Sequence, residues 1–167
     1  FDDYVCYGQA LGIGVIGADA FLPGGEKVSS SVIRDRIRRG DIASANRLLG
    51  YAYAIESTIV RGYGNGHRLG FPTANLDIPA AGVYAVAVRQ KDSSEWRRGM
   101  MNIGTRPTFN GKAMSMEVNI FRFDGDLYDK PLAVSFIAKI RDERRFGSLE
   151  ALAHQLEQDR EAINHLF

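Results

Sequence analysis

Apolar positions along this chain change period near residue 50. Before it the spacing is helical. Val32, Ile33 and Ile37 make one short stripe, and Ile42, Ala45, Leu48 and Leu49 make a second. Ser29, Ser30 and Ser31 offer hydroxyls to cap the first helix, and Asp41 offers a carboxylate to the second. Gly40 and Gly50 stand where left-handed helix ends belong, so residues 29–50 are predicted as a helical pair. Upstream, residues 1–25 are glycine-rich and irregular. There Tyr4, Val5, Cys6 and Tyr7, then residues 11–16, read as short buried strands.

After Gly50 the pattern alternates. Tyr53, Ile55 and Ile59 interleave with Ala54, Glu56 and Thr58, as on a half-buried strand that runs into a glycine-rich stretch at 62–70. Residues 82–89 are apolar on both faces through Val83, Tyr84, Val86 and Val88, which predicts a central strand. Three more strands are expected at 96–103, 117–123 and 132–140, separated by the turn formers Phe109-Asn110-Gly111 and Asp124-Gly125-Asp126. Five or six short strands favour a mainly β, antiparallel barrel, because closure removes exposed edges. A last helix is expected over 149–167. Ser148 caps it, and Leu149, Leu152, Leu156, Ile163 and Leu166 form the stripe that should lie on the barrel. The period change places a domain boundary after residue 50, giving 1–50 and 51–167.

Composition narrows the function classes. With 167 residues, 45% hydrophobic and 25% charged, the chain has the balance of one compact domain and a small appendage. The formal charge is +1 and no basic run alternates with aromatics, so no nucleic-acid partner is expected and a small-molecule ligand fits better. Cys6 is the sole cysteine, which rules out an internal disulfide and agrees with a reducing, cytoplasmic setting. No apolar run is long enough to span a membrane, and no charged start precedes an apolar run as in a leader. The chain opens on Phe1 rather than methionine, as a fragment would.

Several glycine motifs compete for attention. Gly12, Gly14 and Gly17 have the spacing of a dinucleotide-binding turn, yet Pro23, Gly24 and Gly25 block the helix that must follow. No phosphate-binding loop ending in lysine and serine or threonine occurs, and His67, His154 and His165 are scattered. The stretch from Val60 to Asn75 carries Gly62, Gly64, Gly66 and Gly70, whose backbone N–H groups can cradle an anion. On spacing alone a flexible hairpin is the commoner outcome. Thr73 and Asn75, two apart after Pro72, put two hard oxygen donors on one side, enough for a hydrated Mg2+ beside a phosphate. The commoner fate of such a pair is a turn bonded to local backbone. Glu117 is a carboxylate in mid-strand, opposite in face to Val118 and Ile120. It either pairs with an arginine at the barrel surface or faces a ligand as a general base.

Taken together, Leu69-Gly70-Phe71-Pro72-Thr73-Ala74-Asn75, Asn102-Ile103-Gly104-Thr105-Arg106-Pro107-Thr108, Glu117-Val118-Asn119 and Phe123-Asp124-Gly125-Asp126-Leu127-Tyr128 resemble the riboflavin kinases. Arg141-Asp142-Glu143-Arg144-Arg145-Phe146 followed by Ser148-Leu149-Glu150 extends the likeness over residues 51–167, most closely to the kinase module of bacterial bifunctional riboflavin kinase/FAD synthetases. The resemblance implies a six-stranded Greek-key barrel with a C-terminal helix, and transfer of the γ-phosphate of ATP to riboflavin, giving FMN and ADP. It implies Thr73 and Asn75 as Mg2+ ligands and Glu117 as the catalytic carboxylate. The loop of Gly62, Gly64 and Gly66 would close over the nucleotide, and Arg141 and Phe146 would lie in the loop covering the flavin. Val28-Ser29-Ser30-Ser31-Val32-Ile33-Arg34 resembles the end of an α/β FMN adenylyltransferase module, so residues 1–50 are expected to be its C-terminal remnant. That module's histidine-bearing nucleotide motif is absent, so conversion of FMN to FAD is not expected of this chain. The connection from Asn75 to Gly82 is shorter than the family's usual one. A barrel that binds flavin or nucleotide without catalysis is the alternative, and the joint presence of Thr73, Asn75 and Glu117 argues against it.

Overall fold

The structure, a computed structural model, describes residues 1–17, 19, 21–60, 67–70, 77–108 and 111–167. The N-terminal segment differs from expectation: Asp2–Ala10 is a helix, α1, with Tyr4 and Tyr7 72% and 71% exposed, and Ile16 beyond it is 93% exposed. The barrel downstream is closed and has no free edge to pair with, so this segment satisfies its backbone groups locally. Asp2 and Asp3 in the first turn suit the helix dipole.

The helical pair forms as the caps dictate. In α2, Ser30–Arg39, the Ser29 hydroxyl accepts from the Val32 N–H at 3.3 Å, and Gly40 ends the helix at φ 80°. In α3, Ile42–Leu49, the Asp41 carboxylate accepts from the Ser44 N–H at 3.3 Å, and Gly50 ends it at φ 76°.

Six antiparallel strands follow: β1 Ala54–Val60, β2 His67–Gly70, β3 Gly82–Gln90, β4 Arg97–Thr108, β5 Gly111–Ile120 and β6 Pro131–Arg141. They close in the order β1-β2-β5-β4-β3-β6, with β6 returning beside β3 after the β3-β4-β5 meander, which is Greek-key topology. Strand β2 stands at the end of the stretch whose glycines predict a loop. Four residues, the last itself a glycine, carry no readable period, and the pairing with β1 and β5 is supplied from distant parts of the chain. Strand β5 starts earlier than its apolar pattern and stops at Ile120. Arg122, at φ 54°, turns the chain out of the ladder.

Inward side chains of every long strand meet in one core, including Ile55, Tyr84, Met101, Met116, Val134 and Phe136. Ile42 of α3 belongs to the same core and is 1% exposed. Beside it the Asn46 side chain acts as a piece of strand: its amide oxygen accepts from the Tyr53 N–H at 2.7 Å, and its nitrogen donates to the Phe136 carbonyl at 2.9 Å. The C-terminal helix α4, Leu149–Asn164, is capped by Ser148 and packs on β4 and β6. Its stripe is shorter than expected. Leu149 and Leu166 are 80% and 48% exposed, and the buried residues are Ile163 and Asp159. Both leucines lie at or beyond the ends of the helix.

Candidate active site

One row of the barrel crosses four strands. The backbone register sets Arg141 of β6 opposite Val83 of β3, Val83 opposite Asn102 of β4, and Asn102 opposite Glu117 of β5. Directly opposed residues share a face. Because Met101, Ile103, Met116 and Val118 point into the core, Asn102 and Glu117 point away from it. Gly82 makes the β3–β6 end of this row possible: its φ is 152°, and a Cβ there would stand 2.7 Å from the Arg141 carbonyl oxygen.

Residues 142–148 and α4 fold over this outer face and leave a cavity of about 360 Å3. Met100, Phe146, Leu152 and Leu156 form its apolar wall. Asn102, Glu117, Asn119, Arg141, Glu143 and Arg144 supply the polar one. A cleft with one greasy wall and a few convergent polar groups is what a flat, partly polar ligand requires. Glu117 is half-buried at its edge. The Glu143 carboxylate lies against Gly104, in the space a side chain at 104 would take.

The guanidinium of Arg141 is held on three sides. Its Nε donates to both oxygens of Asp159 at 3.0 and 2.9 Å, Nη2 lies 2.8 Å from Oδ2, and Nη1 donates to the Asp142 carbonyl at 3.1 Å. Phe146 lies beside two arginines, with the Arg141 and Arg144 guanidinium carbons 5.6 and 5.1 Å from its ring centre. Lys139 grips Asp142 at 2.6 Å, and that hydrogen bond, with the charge behind it, holds the Asp142 carboxyl below the usual carboxylate range.

Of the residues singled out in the sequence, Glu117, Arg141 and Phe146 line one cavity. Gly62, Gly64, Gly66, Thr73 and Asn75 lie outside the described residues. The chain re-enters the described part at Asp77, which is held by α2 and by Tyr53, just before β1. Arg34 Nε lies 3.2 Å and Arg38 Nη2 2.9 Å from its carboxylate, while the Tyr53 hydroxyl donates to its carbonyl at 2.8 Å. Burial, helped by the Asp77 charge, pushes the Tyr53 phenol up to about 12. Asp159 is absent from the sequence-based expectations. Its signal was a gap: the stripe of α4 runs 152, 156, 163, and the missing helical position between the last two is an aspartate.

The family model for flavokinase, described as riboflavin kinase, matches residues 49–167. The chain belongs to the riboflavin kinase family. Bifunctional riboflavin kinase/FMN adenylyltransferases are similar to it. That of Haemophilus influenzae is 38% identical over 89% of this chain and 49% of its own length. That of Bacillus subtilis is 38% identical over 84% of this chain and 47% of its own. The chain therefore spans about half the length of the curated relatives it matches. A solved structure described as a macrolide-efflux protein from Streptococcus pneumoniae superposes with a TM-score of 0.86 at 29% identity, covering 95% of this chain and 53% of that one. The riboflavin kinase match takes in all six strands and α4, so the row ending at Glu117 and the cavity lie within it. Among the described residues, no helix is long and apolar enough to cross a membrane.

Proposed function

We propose that the barrel transfers the γ-phosphate of ATP to the 5'-hydroxyl of riboflavin, giving FMN and ADP, with Glu117 as the general base. The observation that carries this reading is the placement of Glu117: it stands in a polar row that opens on a cavity with an apolar wall. The flavin ring rests on Phe146, Met100, Leu152 and Leu156, and its ribityl chain runs along Asn102 toward Glu117. The 5'-hydroxyl gives its proton to the Glu117 carboxylate as its oxygen bonds to the γ-phosphorus. The bond from that phosphorus to the β–γ bridging oxygen breaks, and ADP leaves with the electron pair.

Thr73 and Asn75 would hold Mg2+. The donor chemistry fits, since a hydroxyl and an amide oxygen are hard ligands. When bound, Mg2+ neutralises phosphate charge and orders the nucleotide. The backbone of Gly62, Gly64 and Gly66 would cradle the phosphates, and α2 holds Asp77, two residues after Asn75 in the chain. Residues 1–50 are the C-terminal remnant of an adenylyltransferase domain in a longer parent chain, and this chain alone does not convert FMN to FAD. The half-length match to bifunctional relatives supports that division.

Incubation with riboflavin, ATP and Mg2+, followed by separation of FMN, tests the reaction. Glu117→Gln is expected to fold normally and lose turnover by roughly 10² to 10⁴. Flavin binding without FMN would favour a binding-only barrel, and near-normal turnover of the variant would remove Glu117 from its role.

A further inference from the structure

We infer that Asp159 is a positioning residue of the flavin site: from α4 it holds the Arg141 guanidinium in one orientation and so sets the wall formed with Phe146. The inference deepens the kinase reading and rests on its assignment of this cavity to the flavin ring.

Asp159 is 2% exposed, in a position where the helix stripe calls for an apolar residue. A buried carboxylate is costly unless paired and fully hydrogen-bonded, and an apolar residue of similar size would usually dock a helix as well or better. Stability therefore does not account for it, whereas orientation does. Both its oxygens take hydrogen bonds from Arg141, at 3.0, 2.9 and 2.8 Å, and Gln155 Nε2, one turn earlier on α4, donates to Oδ1 at 2.7 Å. A carboxylate fixed by its own helix and gripping the edge of a guanidinium leaves that group no rotational freedom. The edge of Arg141 is spent on Asp159 and on the Asp142 carbonyl, its guanidinium carbon lies 5.6 Å from the centre of the Phe146 ring, and its charge is already offset. Arg141 is thereby a shaped wall rather than a phosphate partner. Arg144, whose guanidinium carbon is 5.1 Å from the same ring centre, is solvent-exposed.

The primary readout is riboflavin affinity by flavin-fluorescence titration of the full chain, which needs no turnover. Asp159→Asn is expected to weaken riboflavin roughly tenfold, as a misoriented site does, and in steady state the loss falls on the riboflavin KM rather than on the ATP KM. Gln155→Leu, which leaves the ion pair intact, should weaken it about threefold and covers the case in which Asp159→Asn fails to fold. In an Arg141→Met background, Asp159→Asn should change affinity no further, because its effect passes through Arg141. Unchanged affinity in folded Asp159→Asn, or additive losses in the double variant, would overturn the inference. Wild-type chain that binds riboflavin but makes no FMN would defeat the kinase reading while leaving this titration decisive.

Discussion

Helices α3 and α4 both dock against β6, and they do so by opposite chemistry. The first sends Ile42 into the barrel core and offers a neutral amide, Asn46, to two backbone groups. The second buries one apolar side chain, Ile163, and one carboxylate, Asp159, aimed at an arginine on the cavity rim. Neutral and apolar contacts stabilise without demanding a particular ligand geometry. Ion pairs withdrawn from water add little net stability but fix direction. The difference assigns α3 to building the barrel and α4 to shaping the site, although both look like ordinary amphipathic helices at the level of their stripes.

Stability measurements can break this division. Ile42→Ala should show the largest loss, about 3 kcal/mol in chemical unfolding, because it opens a cavity in a core shared by helix and barrel. Riboflavin affinity should stay at its wild-type value wherever the variant is folded. Asn46→Ala comes next, at about 2 kcal/mol, since the Tyr53 N–H and Phe136 carbonyl both lose their side-chain partner. An unchanged unfolding midpoint for either would detach α3 from the barrel. The smallest effect is alkaline. Burial, with the charges of Asp77 and Asp142 as secondary causes, raises Tyr53 and Tyr84 from 10 to about 12. The unfolded chain loses these protons first. The stabilisation is therefore fully present below pH 10 and is lost as pH rises from 10 to 12. Tyr53→Phe should flatten part of that decline in pH-dependent unfolding, and an unaltered slope would count against it.

The features legible in the sequence are those whose partners are near in the chain. Ser29, Asp41 and Ser148 bond to N–H groups three residues on, and Gly40 and Gly50 take left-handed ends, so the helical pair and α4 could be read directly. Strand β3 announced itself by burying both faces. Strand β2 and the start of β5 did not, since their pairing partners lie far along the chain and their own residues carry little apolar signal. For α1 the apolar run Tyr4, Val5, Cys6 and Tyr7 read as strand, yet the closed barrel offers that segment no edge. Within the site, Glu117 stood out as a charge in mid-strand, whereas Asp159 looked like a flaw in a stripe until its partner was seen.

By itself the amino-acid order determined the ends of α2 and α3, the start of α4, the doubly buried strand, the barrel class and the family motifs, because each depends on spacing or on neighbours within a few residues. Only the tertiary structure decided that Arg141, Val83, Asn102 and Glu117 stand in one row, and that Asp159 closes on the first of them. Strand register is a pairing between distant segments. A slip of one residue would turn every one of those side chains to the other face, so the site exists only once the whole barrel has closed.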